Sequence, residues 1–461
     1  MKTCAFTLAA MVTAALCLSA CGSANKVSGS PPLAAVNQWA WEAGANVVNQ
    51  QGTYGTLGTA APSNVPPART QPVTWTDASG NFWLFGGMGP GSAMSDTFFN
   101  DLWKYSAGQW TWMSGSNNSN QAGTYGTPGM AAPGNIPGAR CQAVSWIDQS
   151  GNFWLFGGLG LDSNGTSQLL NDLWEYNAGQ WTWMAGSNVG DQPGTYGTPG
   201  MAAPGNVPGA RSLAVSWTDT AGNFWLFGGL GFDSSGTQSY LNDLWKYSAG
   251  QWTWMGGSDV VNQPGTYGTQ GMPAPGNAPG ARIEAVSWTD PSGSLWLLGG
   301  SPGPPGQFEI FNDLWKYSGG QWTWVAGSDT VDQHGSYGTE QTASANNIPG
   351  ARVAAVTWTD SSGNLWLFGG DGFDSAGTLD YLNDLWEYSA GQWTWMGGSD
   401  LARDQGTYGT QGTFAPANAP GARFGAAGWI DSSGNFWLFG GSGYDSTGAH
   451  GDLNDLWKYQ P

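Results

Sequence analysis

The chain has 461 residues, enough for one large all-β domain or two ordinary ones. Charged residues make up only 10%, while 75 glycines and 30 tryptophans make it too aromatic for a disordered chain and too rich in glycine for long helices. The net charge of −19 repels phosphate, which argues against nucleic acid as a partner and against a peripheral hold on anionic lipid.

In chain order, the first element is an apolar run from Ala5 to Leu18 behind Lys2. It is too short to span a bilayer as a mature helix and reads as a secretory signal. Its end, Leu18-Ser19-Ala20-Cys21, resembles the lipobox of bacterial lipoproteins, in which the cysteine becomes the lipidated first residue. The expected layout is a signal peptide with lipobox over 1–21, a flexible Ser/Gly/Pro tether over 22–37, and one folded domain over 38–461. This predicts an exported protein of the cell envelope, anchored to a bacterial membrane surface through Cys21. The alternative is an ordinary cleaved signal and a secreted, soluble protein. Cys4 and Cys17 leave with the signal and Cys141 is left alone, so no internal disulfide is expected.

From residue 38 onward one unit recurs. Gly-Gly pairs begin at Gly86, Gly157, Gly228, Gly299, Gly369 and Gly440, with 70 or 71 residues between successive pairs. Around each lies the same wording: Pro-x-Ala-Arg, Val-x-Trp-x-Asp, Asn-Phe-Trp-Leu-Phe-Gly-Gly, Asn-Asp-Leu-Trp and Gln-Trp-Thr-Trp. Each unit holds four strand-like runs; in unit 2 they are Arg140–Ile147, Asn152–Phe156, Asp172–Tyr176 and Gln180–Met184. Four short antiparallel strands repeated six times predict an all-β, six-bladed β-propeller. Five tryptophan positions per unit account for all 30 only if Gln38-Trp39-Ala40-Trp41 supplies the outer strand that unit 6 lacks. The N-terminal segment is therefore expected to close the ring within the last blade.

The leading arginine, the Gly-Gly after an apolar strand, and the later Tyr and Trp resemble the kelch repeat, over about residues 38–461. The period exceeds that family's usual ~50 residues. The excess falls in two connections. Strand 2 to strand 3 takes about a dozen residues, as from Leu159 to Leu170, and strand 4 to the next blade takes over two dozen, as from Ala185 to Ala210. The other two connections are tight turns. Alternating strand direction puts both long classes on one face, the expected binding face.

Candidate site residues follow. Arg69, Arg140, Arg211, Arg282, Arg352 and Arg423 open the innermost strands and are expected to ring the central channel. Asp101, Asp172, Asp243, Asp313, Asp384 and Asp455 open the third strands at the same level. The twelve form either an anion-binding ring or six structural Arg–Asp pairs, and equal numbers favour pairs. A ligand site must break the symmetry. Two residues past each arginine stand Gln71, Gln142, Leu213, Glu284, Ala354 and Gly425, and Glu284 is the single carboxylate. It is expected on the same strand face as Arg282. Glu309, His334, Glu340, Asp371, Arg403, His450 and Asp452 also depart from the repeat. The expected ligand region is the channel mouth on the long-loop face, toward blades 4 and 5, with Glu284, Arg282, Glu309, His334, Glu340 and Asp371 as its residues. Asp-Ser-x-Gly runs, as at Asp162 and Asp233, read as turns rather than cation loops.

The resemblance also brings enzymes into view. Galactose oxidase shares this propeller type and holds copper with two His and two Tyr, one Tyr cross-linked to Cys. Here the only histidines, His334 and His450, lie in loops of different blades, and the motif is not found. No metal and no cofactor are expected. A kelch-type sugar epimerase needs a positioned base, which nothing in the spacing singles out. The primary expectation is a non-catalytic exported binding module for a protein or glycan ligand, acting as a monomer. The alternatives are a carbohydrate-active enzyme and a structural or adhesive envelope protein.

Overall fold

A computed structural model describes residues 36–90, 97–303 and 309–461. The signal, Cys21 and nearly all of the tether lie outside the described residues. Residues from Val36 to Pro461 form one unit, and among the described residues every regular element is a strand. The strands group into six antiparallel blades.

Blade 2 shows how the repeat folds. Its strands are Arg140–Cys141 with Val144–Ile147, then Phe153–Leu161, Ser167–Asn177 and Gln180–Ala185. The first hairpin turns on Asp148, whose carboxylate accepts from the backbone N–H of Ser150 and Asn152 and from the indole of Trp154. The third and fourth strands join through Ala178 and Gly179, both at positive φ, the twist that matches a two-residue hairpin.

The middle connection differs from the expected loop. Strands 2 and 3 run on through Gly160 and Leu161 as paired strands down to a tight turn. Asp162 caps that turn by accepting from the N–H of Asn164 and Thr166. The apolar alternation of Leu159, Leu161, Leu169 and Leu170 pays for this extension by burial against the neighbouring blade. The Asp-Ser-x-Gly runs thus serve as turn caps.

The ring closes as the tryptophan count predicts. Gln38–Ala43 pairs antiparallel with the last strand, Trp39 opposite Tyr459 and Trp41 opposite Trp457. Six aromatic clusters fill the six gaps between adjacent blades, including the gap between blades 6 and 1. A typical contact is Trp75 stacked on Phe153 of the next blade, with centroids 4.9 Å apart. Such offset aromatic pairs contribute ~1 kcal/mol each beyond their buried area.

Candidate functional site

The six arginines do not face the channel. Each is fully buried inside its blade and grips the third-strand aspartate with two parallel bonds. Arg211 Nη1 and Nη2 lie 2.7 Å from the two carboxylate oxygens of Asp243. Arg211 also donates to the carbonyls of Gly209 and Gly228, while Asp243 accepts from the Tyr196 hydroxyl and the Trp245 indole, both at 2.7 Å. Burial alone would push the guanidinium toward losing its proton, and the paired aspartate holds it charged. The arrangement recurs in all six blades. Fully buried and committed to one another, the twelve residues offer nothing to an anion. The network also accounts for the repeated long-loop wording: Tyr54, Tyr125, Tyr196, Tyr267, Tyr337 and Tyr408 of Gly-Thr/Ser-Tyr-Gly-Thr are its hydroxyl donors.

Two residues past each arginine the inner strand breaks. Gln71, Gln142, Leu213, Glu284, Ala354 and Gly425 all sit at φ between +47 and +63. Each donates its N–H to the carbonyl of the equivalent residue one blade back, at 2.6–3.1 Å, and Gln71 donates to Gly425 to complete the circle. This closed backbone ring explains why Glu284 and Arg282 part company. The left-handed residue ends the strand alternation, so Arg282 enters the blade and pairs with Asp313. Glu284 instead meets Gln71 of the opposite blade, whose Nε2 donates to its carboxylate at 2.8 Å. Gln142 Nε2 donates in turn to Gln71 Oε1 at 2.7 Å. Burial raises the Glu284 pKa to about 7; the Gln71 bond opposes this and the charge of Asp371 adds to it.

On the tight-turn side of this ring the channel widens into a funnel of about 640 Å³. It is lined by Thr74, Ser145, Ser216, Ser287, Thr357 and Gly428 with their neighbours. The five hydroxyls already donate to carbonyls of the preceding blade at 3.1–3.4 Å. No titratable group lines this cavity, and its walls repeat blade by blade. Although larger, it offers little to distinguish one ligand from another.

The symmetry fails on the long-loop face, in the crevice between blades 5 and 6. Two other gaps are apolar at this level: Met88, Phe98, Cys141, Leu159 and Leu161 fill it between blades 1 and 2, and Ile310, Val353, Phe373 and Leu379 between blades 4 and 5. Between blades 5 and 6 a cavity of about 410 Å³ is lined by Asp371, Leu379, Asp380, Tyr381, Tyr444 and His450. Tyr444 stands where blade 5 has Phe373, and His450 where it has Leu379. The rings of Tyr381, Tyr444 and His450 lie 5.2–6.1 Å apart, and Phe424 packs 4.9 Å from Tyr381. Burial and the nearby Asp380 raise the Asp371 pKa to about 6. Burial raises Asp452 to about 6 as well, eased by a hydrogen bond from Ser442.

A rewired loop cap accompanies this change. In five blades an Asn or Asp of the long loop exchanges two hydrogen bonds with the third strand, as Asp191 does with Leu169. Asn49, Asn120, Asn262 and Asp332 do the same. Blade 5 has Arg403 there, at φ +69. Its N–H still donates to Tyr381, but the missing acceptor is supplied by Asp380, which takes the Tyr381 N–H at 2.8 Å. Asp380 also holds the Arg403 guanidinium and accepts from the Tyr444 hydroxyl at 3.1 Å.

Of the six residues expected at the ligand site, the structure brings Glu284 and Asp371 within electrostatic reach of each other. Arg282 is buried in its pair. Glu309 is half-buried in the blade 4 hairpin. His334 is exposed and stacks on Phe373, and Glu340 is exposed beside the outer strand of blade 5. The polar cluster lies one blade further on than expected. Tyr381 and Tyr444 escape a sequence reading because tyrosine suits a β-strand, and Asp380 because it follows the Asp-Ser-x-Gly turn, where an aspartate reads as turn. Aligning the units residue by residue beyond the Gly-Gly pair would expose them. Among the described residues no three His, Cys, Asp or Glu side chains converge as a metal site does.

No protein-family model matches the chain. No curated protein matches it either. Among solved structures, YjhT aligns at 15% identity with a TM-score of 0.50, covering 85% of this chain and 95% of its own. A fungal alcohol oxidase of the AA5 family, in complex with copper, aligns at 13% identity with a TM-score of 0.46, covering 89% of this chain and 77% of its own. At such identities the likeness is one of fold.

Proposed function

We propose that the protein is a non-catalytic binding module that takes a protein or glycan ligand on its long-loop face, in the crevice between blades 5 and 6. One observation carries this reading. Several departures from the repeat, Asp371, Asp380, Tyr444 and His450, gather with Tyr381 around one cavity. A scaffold that merely spaced or adhered would have no use for replacing apolar fill by half-buried carboxylates, which cost stability. Aromatic faces with a few placed polar groups are what a ligand pocket needs. The Leu18–Cys21 sequence supports display of this face at a membrane surface, through a lipid on Cys21.

The experiment is a glycan and protein array screen with the exported domain, followed by the double variant Tyr381→Ala/Tyr444→Ala. The crevice variant is expected to lose the captured ligand, while the tight-turn control Gln149→Ala retains it. Capture unchanged in the crevice variant would remove the site. Membrane fractionation of Cys21→Ser, which is expected to release the protein or block its processing, tests the display.

A further inference from the structure

We infer that the blade 5–6 crevice receives a primary ammonium group of its ligand, seated on Asp371 against the rings of Tyr381, Tyr444 and His450. This rests on the crevice being the ligand site. The argument begins with the hydrogen-bond inventory. Asp380 already accepts from Arg403, the Tyr444 hydroxyl and the Tyr381 N–H. Ser442 serves Asp452 and the Tyr381 hydroxyl. Among the described residues no donor and no cation is seen to reach Asp371, which lines the cavity and is half-buried. A half-buried carboxylate that no protein donor satisfies is an open acceptor, and the cavity in front of it is where a ligand can supply the donor.

The surroundings decide which donor. Asp371 lies within electrostatic reach of both Glu284 and Asp380, and the cation at hand, Arg403, is 61% exposed and already committed to Asp380. An anionic ligand is repelled there, and a neutral hydroxyl leaves the charge unbalanced. A hard metal ion needs six or more oxygens, whereas half of this cavity's lining is rings and one of its two carboxylates, Asp380, is already engaged by Arg403. Ring faces attract organic cations, and a primary ammonium brings three N–H donors that a quaternary one lacks. An alkylammonium head therefore fits both the wall and the unfilled acceptor. It can come from a lysine side chain or from a free amine.

The test is calorimetric titration of the exported domain with n-butylammonium chloride, beside tetramethylammonium chloride and 1-butanol at matched ionic strength. Butylammonium is expected to bind saturably, tetramethylammonium roughly tenfold more weakly, and butanol not at all. Asp371→Asn is expected to lose about tenfold or more in affinity while melting no lower than the parent, because it removes an unpaired half-buried charge. Binding should weaken as pH falls through about 6, where Asp371 takes up a proton. Asp380 and Tyr381 of blade 5, Tyr444, His450 and Asp452 of blade 6, Arg403 and Glu284 also face this group, so the profile is repeated in His450→Gln to assign it. Butanol binding as well as butylammonium, or affinity untouched by Asp371→Asn, or no saturable binding, overturns the inference. Nα-acetyl-lysine methylamide separates the sources: it matches butylammonium if a polypeptide lysine is admitted, and fails if only a free amine fits. An array ligand lost in the crevice variant but carrying no amine would defeat this inference and leave the binding site standing. An array ligand retained there would defeat the site itself.

Discussion

Glu284 is the residue whose chemistry the surrounding fold changes most. An arginine two positions away suggests a charged partner, yet the left-handed turn at Glu284 itself sends the two side chains apart. Its one side-chain bond comes from a neutral amide, and burial lifts its pKa from 4.5 to about 7. The consequence for stability has a definite sign. Below about pH 4 the residue is protonated in both folded and unfolded chains. As pH rises toward 7 the unfolded chain releases the proton and the folded one retains it, so stability falls across that window and levels off above it. Gln cannot titrate and keeps an oxygen to accept from Gln71. Glu284→Gln is thus expected to melt like the parent near pH 4 and higher near pH 8, by on the order of 2–3 kcal/mol. Differential scanning calorimetry at the two pH values checks it. A variant less stable than the parent at pH 8 would mean that Glu284 is ionised and paired.

At the scale of strands and turns, the repeat made most of the architecture legible. The Asp two residues past the first-strand Trp and the Gly that follows mark the first hairpin in every unit, and the tryptophans mark the strands. The second hairpin was less legible because its extension, as in Leu159 to Leu170, mixes strand alternation with Asp, Ser and Gly that also suit a loop. The break at Gln142 was invisible, because a single left-handed residue leaves no mark when Gln, Leu, Glu, Ala and Gly all occupy it around the ring. The third-to-fourth strand turns carry a similar hidden feature. Blades 1, 2, 3 and 5 place Ala107, Ala178, Ala249 and Ala390 at φ of +47 to +50, where blade 4 has Gly319. A side chain at that φ is strained, and glycine or asparagine relieves it. Replacing the four alanines by asparagine is expected to stabilise the fold by about 0.5 kcal/mol per turn. Urea unfolding midpoints should rise with each replacement; a flat or falling series would show that the turns carry no strain.

For the whole molecule the decisive feature is that a ring has no natural place to end. The seam could have fallen between two blades, where only side-chain packing would hold it. It falls instead inside blade 6, where Gln38–Ala43 adds backbone pairing between the chain ends. The tryptophan count revealed this because each blade needs the same five rings, and a missing pair at one terminus matched a surplus pair at the other. The crevice was only partly legible: Asp371, Arg403, His450 and Asp452 stood out against the repeat, but nothing in one sequence says that distant departures meet in the same gap. The seam itself yields a demanding prediction. Elsewhere the outer strand follows the third through a two-residue turn, as Ser106 to Gln109 through Ala107 and Gly108. Gln460 and Gln38 face each other in the same relation, with the Asn37 N–H bonded to the Gln460 carbonyl at 2.7 Å. Deleting the chain through Ala43 strips blade 6 of its outer strand and bares both the edge of Trp457 and a row of unpaired backbone groups. That form is expected to aggregate. A permutant that begins at Gly44 and continues after Gln460 through Ala-Gly into residues 38–43 turns the seam into an ordinary blade. Because it restores every strand pair, it is expected to be monomeric by light scattering and to melt within a few degrees of the parent. If the deletion alone behaves like the parent, the N-terminal strand does not close the ring; if the permutant aggregates as the deletion does, its role lies outside strand pairing.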